Sequence, residues 1–151
     1  MIKPRDINYI NKLTKYVKDN RIEGMYTVGA LLTEKKSVLS WGLNDYNKTN
    51  PNTPQILDYI IPTHAEVNCV SKFISKRNYI NDNMTLYIVG LTKSEDANYV
   101  ISSKPCESCL WFIGNAGIKR IVFVENKKGN VEILEAEVKL EDRKVWLEEG
   151  K

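Results

Sequence analysis

Apolar and polar residues along this chain follow two different periods, and the switches between them mark out its elements. Between residues 4 and 20, Ile7, Ile10, Leu13, Tyr16 and Val17 recur at helical spacing. Asp6 lies near the start of that run and Asn20 is a suitable terminator. Met25 to Thr33 then reads as a buried strand carrying Val28, Ala30, Leu31 and Leu32. The polar turn Glu34-Lys35-Lys36-Ser37 leads into a second strand, Val38 to Trp41, which makes a hairpin. Asn44 to Pro62 loses all periodicity and is rich in Asn, Thr and Pro, so it predicts a long loop with one turn around Gln55 to Ile60. Loops of that length inside a compact domain often carry function.

Thr63 followed by Glu66 matches a capping box ahead of an apolar-periodic run. The helix it opens is expected to reach about Arg77 and to bury Val67, Val70, Phe73 and Ile74. Met84 to Val89 predicts a third strand, and Lys93 to Ser103 an irregular stretch. Pro105 suits the first turn of another helix that continues through Leu110, Ile113 and Ala116 and stops at Gly117. Lys119 to Val124 predicts the next strand, Gly129-Asn130 a turn, and Val131 to Leu134 a fifth strand. The charged tail from Leu140 to Lys151 suits a helix. Helix–strand alternation of this kind predicts an α/β fold, a three-layer α/β/α sandwich around a mixed five-stranded sheet.

Bulk properties narrow the function classes. The 151 residues suit one domain with a real core, and 42% hydrophobic and 27% charged residues are ordinary for a soluble globular protein. No apolar run approaches a membrane span, and Met1 to Asp6 lacks the apolar stretch of a secretory leader, so a cytoplasmic location is expected. A net charge of +3, spread along the chain, suits a small anionic substrate and argues against a nucleic-acid partner.

Two short segments carry the chemistry: Thr63-His64-Ala65-Glu66 and Pro105-Cys106-Glu107-Ser108-Cys109. Cysteines three apart on a helix share one face, and a helix N-terminus favours the thiolate form that binds metal. His64 is the chain's single histidine. A helix, a strand and a loop fit between it and Cys106, so both helix starts can converge at one edge of the sheet. Three protein ligands, His64, Cys106 and Cys109, leave a tetrahedral Zn2+ one open position, the pattern of a catalytic rather than a structural site. Glu66 is open to three roles: the acid of the capping box, a fourth ligand, or a carrier of the proton from bound water. Cys69, the third cysteine, reads as a small core residue ahead of an extra ligand. Trp111 reads as a packing or gating side chain. A zinc-stabilised binding module is the non-enzyme alternative.

The segments Thr27-Val28-Gly29-Ala30, Gly42-Leu43-Asn44, His64-Ala65-Glu66-Val67-Asn68, Pro105-Cys106-Glu107-Ser108-Cys109 and Asn115-Ala116-Gly117-Ile118-Lys119-Arg120 resemble the cytidine deaminase superfamily, and within it the deoxycytidylate (dCMP) deaminases. H-x-E with P-C-x-x-C is the signature of zinc deaminases, in which the Glu does not bind metal. Lys104 stands where guanine and tRNA-adenosine deaminases usually carry Glu. The resemblance implies a single zinc-dependent deaminase domain over residues 1–151 that converts dCMP to dUMP with release of ammonia and so feeds dTMP biosynthesis. It implies Glu66 as catalytic acid and base, the Ala65 N–H on the pyrimidine O2, a carbonyl near Ser103 on the leaving amine, and Asn44 on the sugar. It further implies a homo-oligomer, as large as a hexamer in many relatives, with dCTP and dTTP as allosteric effectors and Mg2+ accompanying a bound nucleotide. Two places depart from the family pattern, Asp45-Tyr46-Asn47 after Asn44 and Glu125-Asn126-Lys127-Lys128, where a tyrosine is expected. Both fall where the family handles phosphate, which leaves dCTP or another cytosine nucleotide as an alternative substrate. Arg21, Lys48, Lys104 and Lys127 are the basic residues available to a phosphate.

Overall fold

A computed structural model describes residues 1–21, 26–45, 64–92 and 100–149. The described elements run in the order α1 (Pro4–Asp19), β1 (Thr27–Glu34), β2 (Ser37–Leu43), α2 (Ala65–Ser75), β3 (Met84–Leu91), β4 (Val100–Ile101), α3 (Glu107–Ala116), β5 (Arg120–Lys127), β6 (Asn130–Glu141) and β7 (Lys144–Glu149). The strands form one seven-stranded sheet in the order β2-β1-β3-β5-β6-β7, with β4 beside β3. Among the described strands only β3 and β5 are parallel; the other pairs are antiparallel.

Side chains alternate across a strand, and here the alternation divides the core in two. Ala30, Leu32, Leu86, Ile88, Ile121 and Phe123 face α2 and α3. Leu31, Tyr87, Val89, Leu91, Val122 and Val124 face α1, which offers Tyr9, Ile10, Leu13 and Val17. A strand covered on both faces is apolar throughout, and every residue of β3 is buried. The three-layer α/β/α arrangement is as expected from the sequence.

Several boundaries differ. The described sheet has seven strands rather than five, because the tail forms a strand, β7, instead of a helix and the stretch before Ser103 adds the short β4. β6 runs on to Glu141 and turns back through Asp142 and Arg143, both at positive φ, into β7. Val145 and Leu147 then pack against the α2–α3 core. Residues 93–103 are not irregular at their end, since Val100 and Ile101 pair with Leu91 and Gly90. The helix expected from Thr63 starts one residue later, with His64 at the N-cap, no side-chain cap hydrogen bond, and an end at Ser75. At the observed cap, His64, the expected box is not present, and Glu66 is the second residue of the helix. Pro105 precedes the N-cap Cys106 of α3 and does not occupy its first turn. Gly117 ends that helix at φ 99°, as glycine allows. Met25, Thr63, and most of the loop expected over Asn44 to Pro62 lie outside the described residues.

One polar cluster fastens the sheet at the amino ends of β3 and β5. Arg120 donates from both terminal nitrogens to the Asp6 carboxylate, at 3.0 and 2.8 Å. The same guanidinium reaches Glu135 at 3.0 and 2.7 Å. Tyr87 donates to Asp6 and the amino group of Met1 pairs with Glu135. Asp6 is 1% exposed and also accepts the Lys3 N–H, so a single carboxylate caps α1 and ties it to the sheet.

Candidate metal and active site

α3 is the crossover helix between two parallel strands, so it starts near their carboxyl ends, the crevice in which α/β sheets place their sites. α2 packs beside it. The N-caps of the two helices are His64 and Cys106. His64 Nδ1 lies 3.0 Å from Cys109 Sγ and 3.5 Å from Cys106 Sγ. The three ligand atoms are all within 4.8 Å of one another. Tetrahedral zinc, with bonds of about 2.3 Å to sulfur and about 2.0 Å to nitrogen, spaces such ligand atoms by about 3.6 Å. One nitrogen and two sulfurs at this spacing fit a zinc ion, with Nδ1 as the histidine ligand.

The electrostatics divide the two thiols and favour the thiolate at Cys106. The hydrogen bond from Cys109, then that from His64, pulls the Cys106 thiol down to about 4. Cys109, as the donor to Cys106, is pushed upward, and burial and Glu66 add to the effect. Its hydrogen bond to Cys106 raises His64. Cys109 is buried while Cys106 is exposed, so the cluster opens to solvent on one side.

Glu66 is 5% exposed, and burial is the main cause that raises its carboxyl above the ordinary range. Burial of this kind moves a carboxyl toward the range in which one side chain can both accept and return a proton. It is not a member of the three-ligand cluster.

Gly42 explains how α2 reaches this place. A Cβ there would lie 2.5 Å from Cys69 N and 2.6 Å from Ala65 O, both backbone atoms of α2. Only a residue without a side chain lets the first turn of α2 settle onto β2. Ser40 and Cys69 strengthen the seat reciprocally: Ser40 Oγ donates to Cys69 O at 2.7 Å, and Cys69 Sγ donates to Ser40 O at 3.3 Å. Cys69 is thus a core residue turned toward β2, its thiol pushed up to about 12 by burial. Asn68 donates to Leu43 O at 2.7 Å and fixes the end of β2.

The other residues singled out by sequence divide between the crevice and the surface. The Asn44 amide accepts from Val28 N–H at 2.9 Å and donates to Tyr26 O at 3.1 Å, so it clamps β2 to the start of β1. Ala65 is fully buried in the first turn of α2, whose leading N–H groups have no helical acceptor. The Ser103 hydroxyl donates to Ile88 O at 2.7 Å and accepts from Val124 N–H at 3.0 Å, and its own N–H donates to Val124 O at 2.8 Å. Lys104 and Lys127 are exposed, beside Glu149 and Glu125 at 3.7 and 3.6 Å. Trp111 is 48% exposed on α3. Lys48 lies outside the described residues. Sequence reading left Ser40 unremarked, met Asn126 only as a departure from the family pattern, and gave Gly42 no mechanical role. The one available signal was a glycine at the end of a strand pattern, a mark of close backbone approach.

Residues 4–125 match the family model described as the cytidine and deoxycytidylate deaminase zinc-binding region. Among solved structures, the chain is similar to the dCMP deaminase from the cyanophage S-TIM5 in complex with dCMP and dUMP. That match has 22% identity, covers 80% of this chain and 82% of that one, and has a TM-score of 0.53. It is also similar to the cytidine deaminase from Burkholderia pseudomallei, with 18% identity, 82% and 89% coverage, and a TM-score of 0.50. At these identities the likeness speaks to the fold. No curated protein matches by sequence. No helix among the described residues is long and apolar enough to cross a membrane.

Proposed function

The chain belongs to the cytidine and deoxycytidylate deaminase zinc-binding family, and we propose that it acts as one zinc-dependent domain that hydrolyses dCMP to dUMP and ammonia. The observation that carries this reading is the pairing of a three-ligand cluster, His64, Cys106 and Cys109, with a buried carboxyl two residues from the histidine. When bound, zinc supplies a water acidified toward neutral pH. Glu66 takes the proton from the attacking water and delivers it to ring N3. It then assists departure of the C4 amino group as ammonia, so water and the cytosine ring yield the uracil ring and ammonia with no other reactant. The Ala65 N–H holds the pyrimidine O2, and the Ser103 carbonyl accepts from the leaving amine. The Ser103 hydroxyl and N–H are engaged with β3 and β5, which fixes the backbone at that carbonyl.

The choice of dCMP takes support from the cyanophage enzyme of the same fold, crystallised with dCMP and dUMP, and from Asn44, held by Val28 and Tyr26 next to the strand end that Asn68 fixes. The competing substrates are dCTP and other cytosine nucleosides or nucleotides.

The test is turnover of cytidine, CMP, dCMP, dCTP and a cytosine-containing single strand by zinc-loaded protein, read as ammonia release and ultraviolet change. Glu66→Gln is expected to keep zinc and to lose about 10²–10⁴-fold in rate, the usual scale for a positioned proton carrier. Loss of zinc in that variant, with no turnover in the parent, would favour a structural metal site instead.

A further inference from the structure

The parallel pairing of β3 and β5 is short. It covers Thr85 with Arg120, Leu86 with Ile121 and Tyr87 with Val122, and it extends no further. Beyond that point the two strands part, and residues 100–103 fill the fork. On the β3 side, Val100 and Ile101 pair with Leu91 and Gly90, and Ser103 Oγ donates to Ile88 O. On the β5 side, Ser103 exchanges two hydrogen bonds with Val124. Asn126 adds two more, its N–H donating to Ser102 Oγ at 2.9 Å and its Nδ2 to Val100 O at 2.7 Å.

Asn126 has a second attachment. Its Oδ1 accepts from Gly129 N–H at 2.8 Å, inside the β5–β6 turn where Lys128 and Gly129 are both at positive φ. One half-buried amide therefore joins the hairpin to the inserted segment. Only Lys104 and the buried Pro105 separate that segment from Cys106, and proline's fixed φ stiffens the link. A shift of Val100 to Ser103 has little slack in which to dissipate before it reaches the cysteine and the Ser103 carbonyl.

We propose that Asn126 is a positioning residue for the metal site, holding the inserted segment in the fork so that Cys106 meets His64 and Cys109 and the Ser103 carbonyl faces the substrate. The proposal rests on the zinc deaminase reading above and adds to it a residue that acts on the metal ligands through the inserted segment. Partners that orient metal ligands from outside typically cost 10–100-fold in metal affinity or activity when replaced.

The test compares Asn126→Asp, which keeps the acceptor for Gly129 N–H and loses the donor to Val100, with Asn126→Ala, which loses both. Ser102→Ala, at an exposed position, is the variant that removes one strut with least risk to folding. Zinc affinity is read by competition with a chromogenic chelator, ligand geometry by the visible absorption of the cobalt(II)-loaded protein, and fold stability by urea unfolding of the metal-free form. We expect both Asn126 variants to bind zinc about 10–100-fold more weakly and to show altered cobalt bands. We expect Ser102→Ala to shift in the same direction by less, with kcat reduced more than KM is changed. Unchanged zinc affinity and cobalt spectra in soluble variants, with only the urea midpoint lowered, would overturn the proposal. If the Asn126 variants do not fold, Ser102→Ala decides by the same readouts. The deaminase reading fails separately, by the parent binding zinc while leaving every cytosine compound untouched.

Discussion

Replacing Gly42 by alanine separates the stability of this fold from its alignment of catalytic groups. The added methyl would sit 2.5 Å from Cys69 N, 2.6 Å from Ala65 O and 2.8 Å from Cys69 Cα. All three are backbone atoms, so no rotamer change relieves the clash. Restoring an ordinary contact of about 3.4 Å moves the first turn of α2 by about 0.9 Å, and that turn carries His64, Ala65 and Glu66. Overpacking of this size costs roughly 1–3 kcal/mol. A misplacement of about 1 Å at a reacting centre costs on the order of 100-fold in rate. The control is Gly29→Ala, whose methyl would meet side chains of α1, Val17 Cγ2 at 2.4 Å and Leu13 Cδ1 at 3.1 Å, on the opposite face of the sheet. Urea unfolding and steady-state kinetics on both variants are the assay. Both should lose stability, and Gly42→Ala alone should lose kcat/KM by about 100-fold. Full activity in a destabilised Gly42→Ala protein, or equal loss in the two variants, would refute the mechanical role of this contact.

Other outcomes follow from the same structure. Asp6→Asn leaves Arg120 without its bidentate partner and should cost about 3 kcal/mol by urea unfolding, with kcat little changed in the folded fraction. Burial opposes ionisation of Asp6, but hydrogen bonds from Arg120, Tyr87 and Lys3 outweigh it and hold the carboxyl at about 2, against 3.8 ordinarily. Because the folded value is the lower one, its contribution of about 2 kcal/mol is fully present above pH 4 and fades as pH falls toward 2. Stability of the parent measured between pH 5 and 2 should therefore fall more steeply than that of Asp6→Asn. Removing metal with a chelator should expose Cys106 and then Cys109 to a thiol reagent, while Cys69, fully buried and pushed up to about 12, reacts only on unfolding. Three thiols reacting at one rate in folded protein would count against that arrangement.

The sequence showed α1, the first hairpin and α3 because each carries a strong local period and a recognisable end. Gly117, for instance, sits at positive φ just where the helical pattern stops. The metal cluster was legible because both of its segments open helices. The tail misled because its turn residues, Asp142 and Arg143, take positive φ without the Asn-Gly signal that marks such hairpins. Val145, Trp146 and Leu147 are also too short an apolar run to separate strand from helix by period. The insert at residues 100–103 was invisible for another reason. Its hydrogen bonds to β5 draw on the side chains of Ser102, Ser103 and Asn126, and no local pattern announces partners more than twenty residues apart.

The two parallel strands are knotted together at one end by Arg120 and its carboxylates and pried apart at the other by four inserted residues. Robustness and chemistry thus occupy opposite poles of the same pair of strands. Stabilising changes often erode activity because they stiffen the parts that must stay strained or adjustable. In this molecule, Asp6 and Tyr87 pack on the α1 face of the sheet, away from the face that carries α2 and α3. An engineer seeking a heat-tolerant variant has a place to work that the reaction does not use.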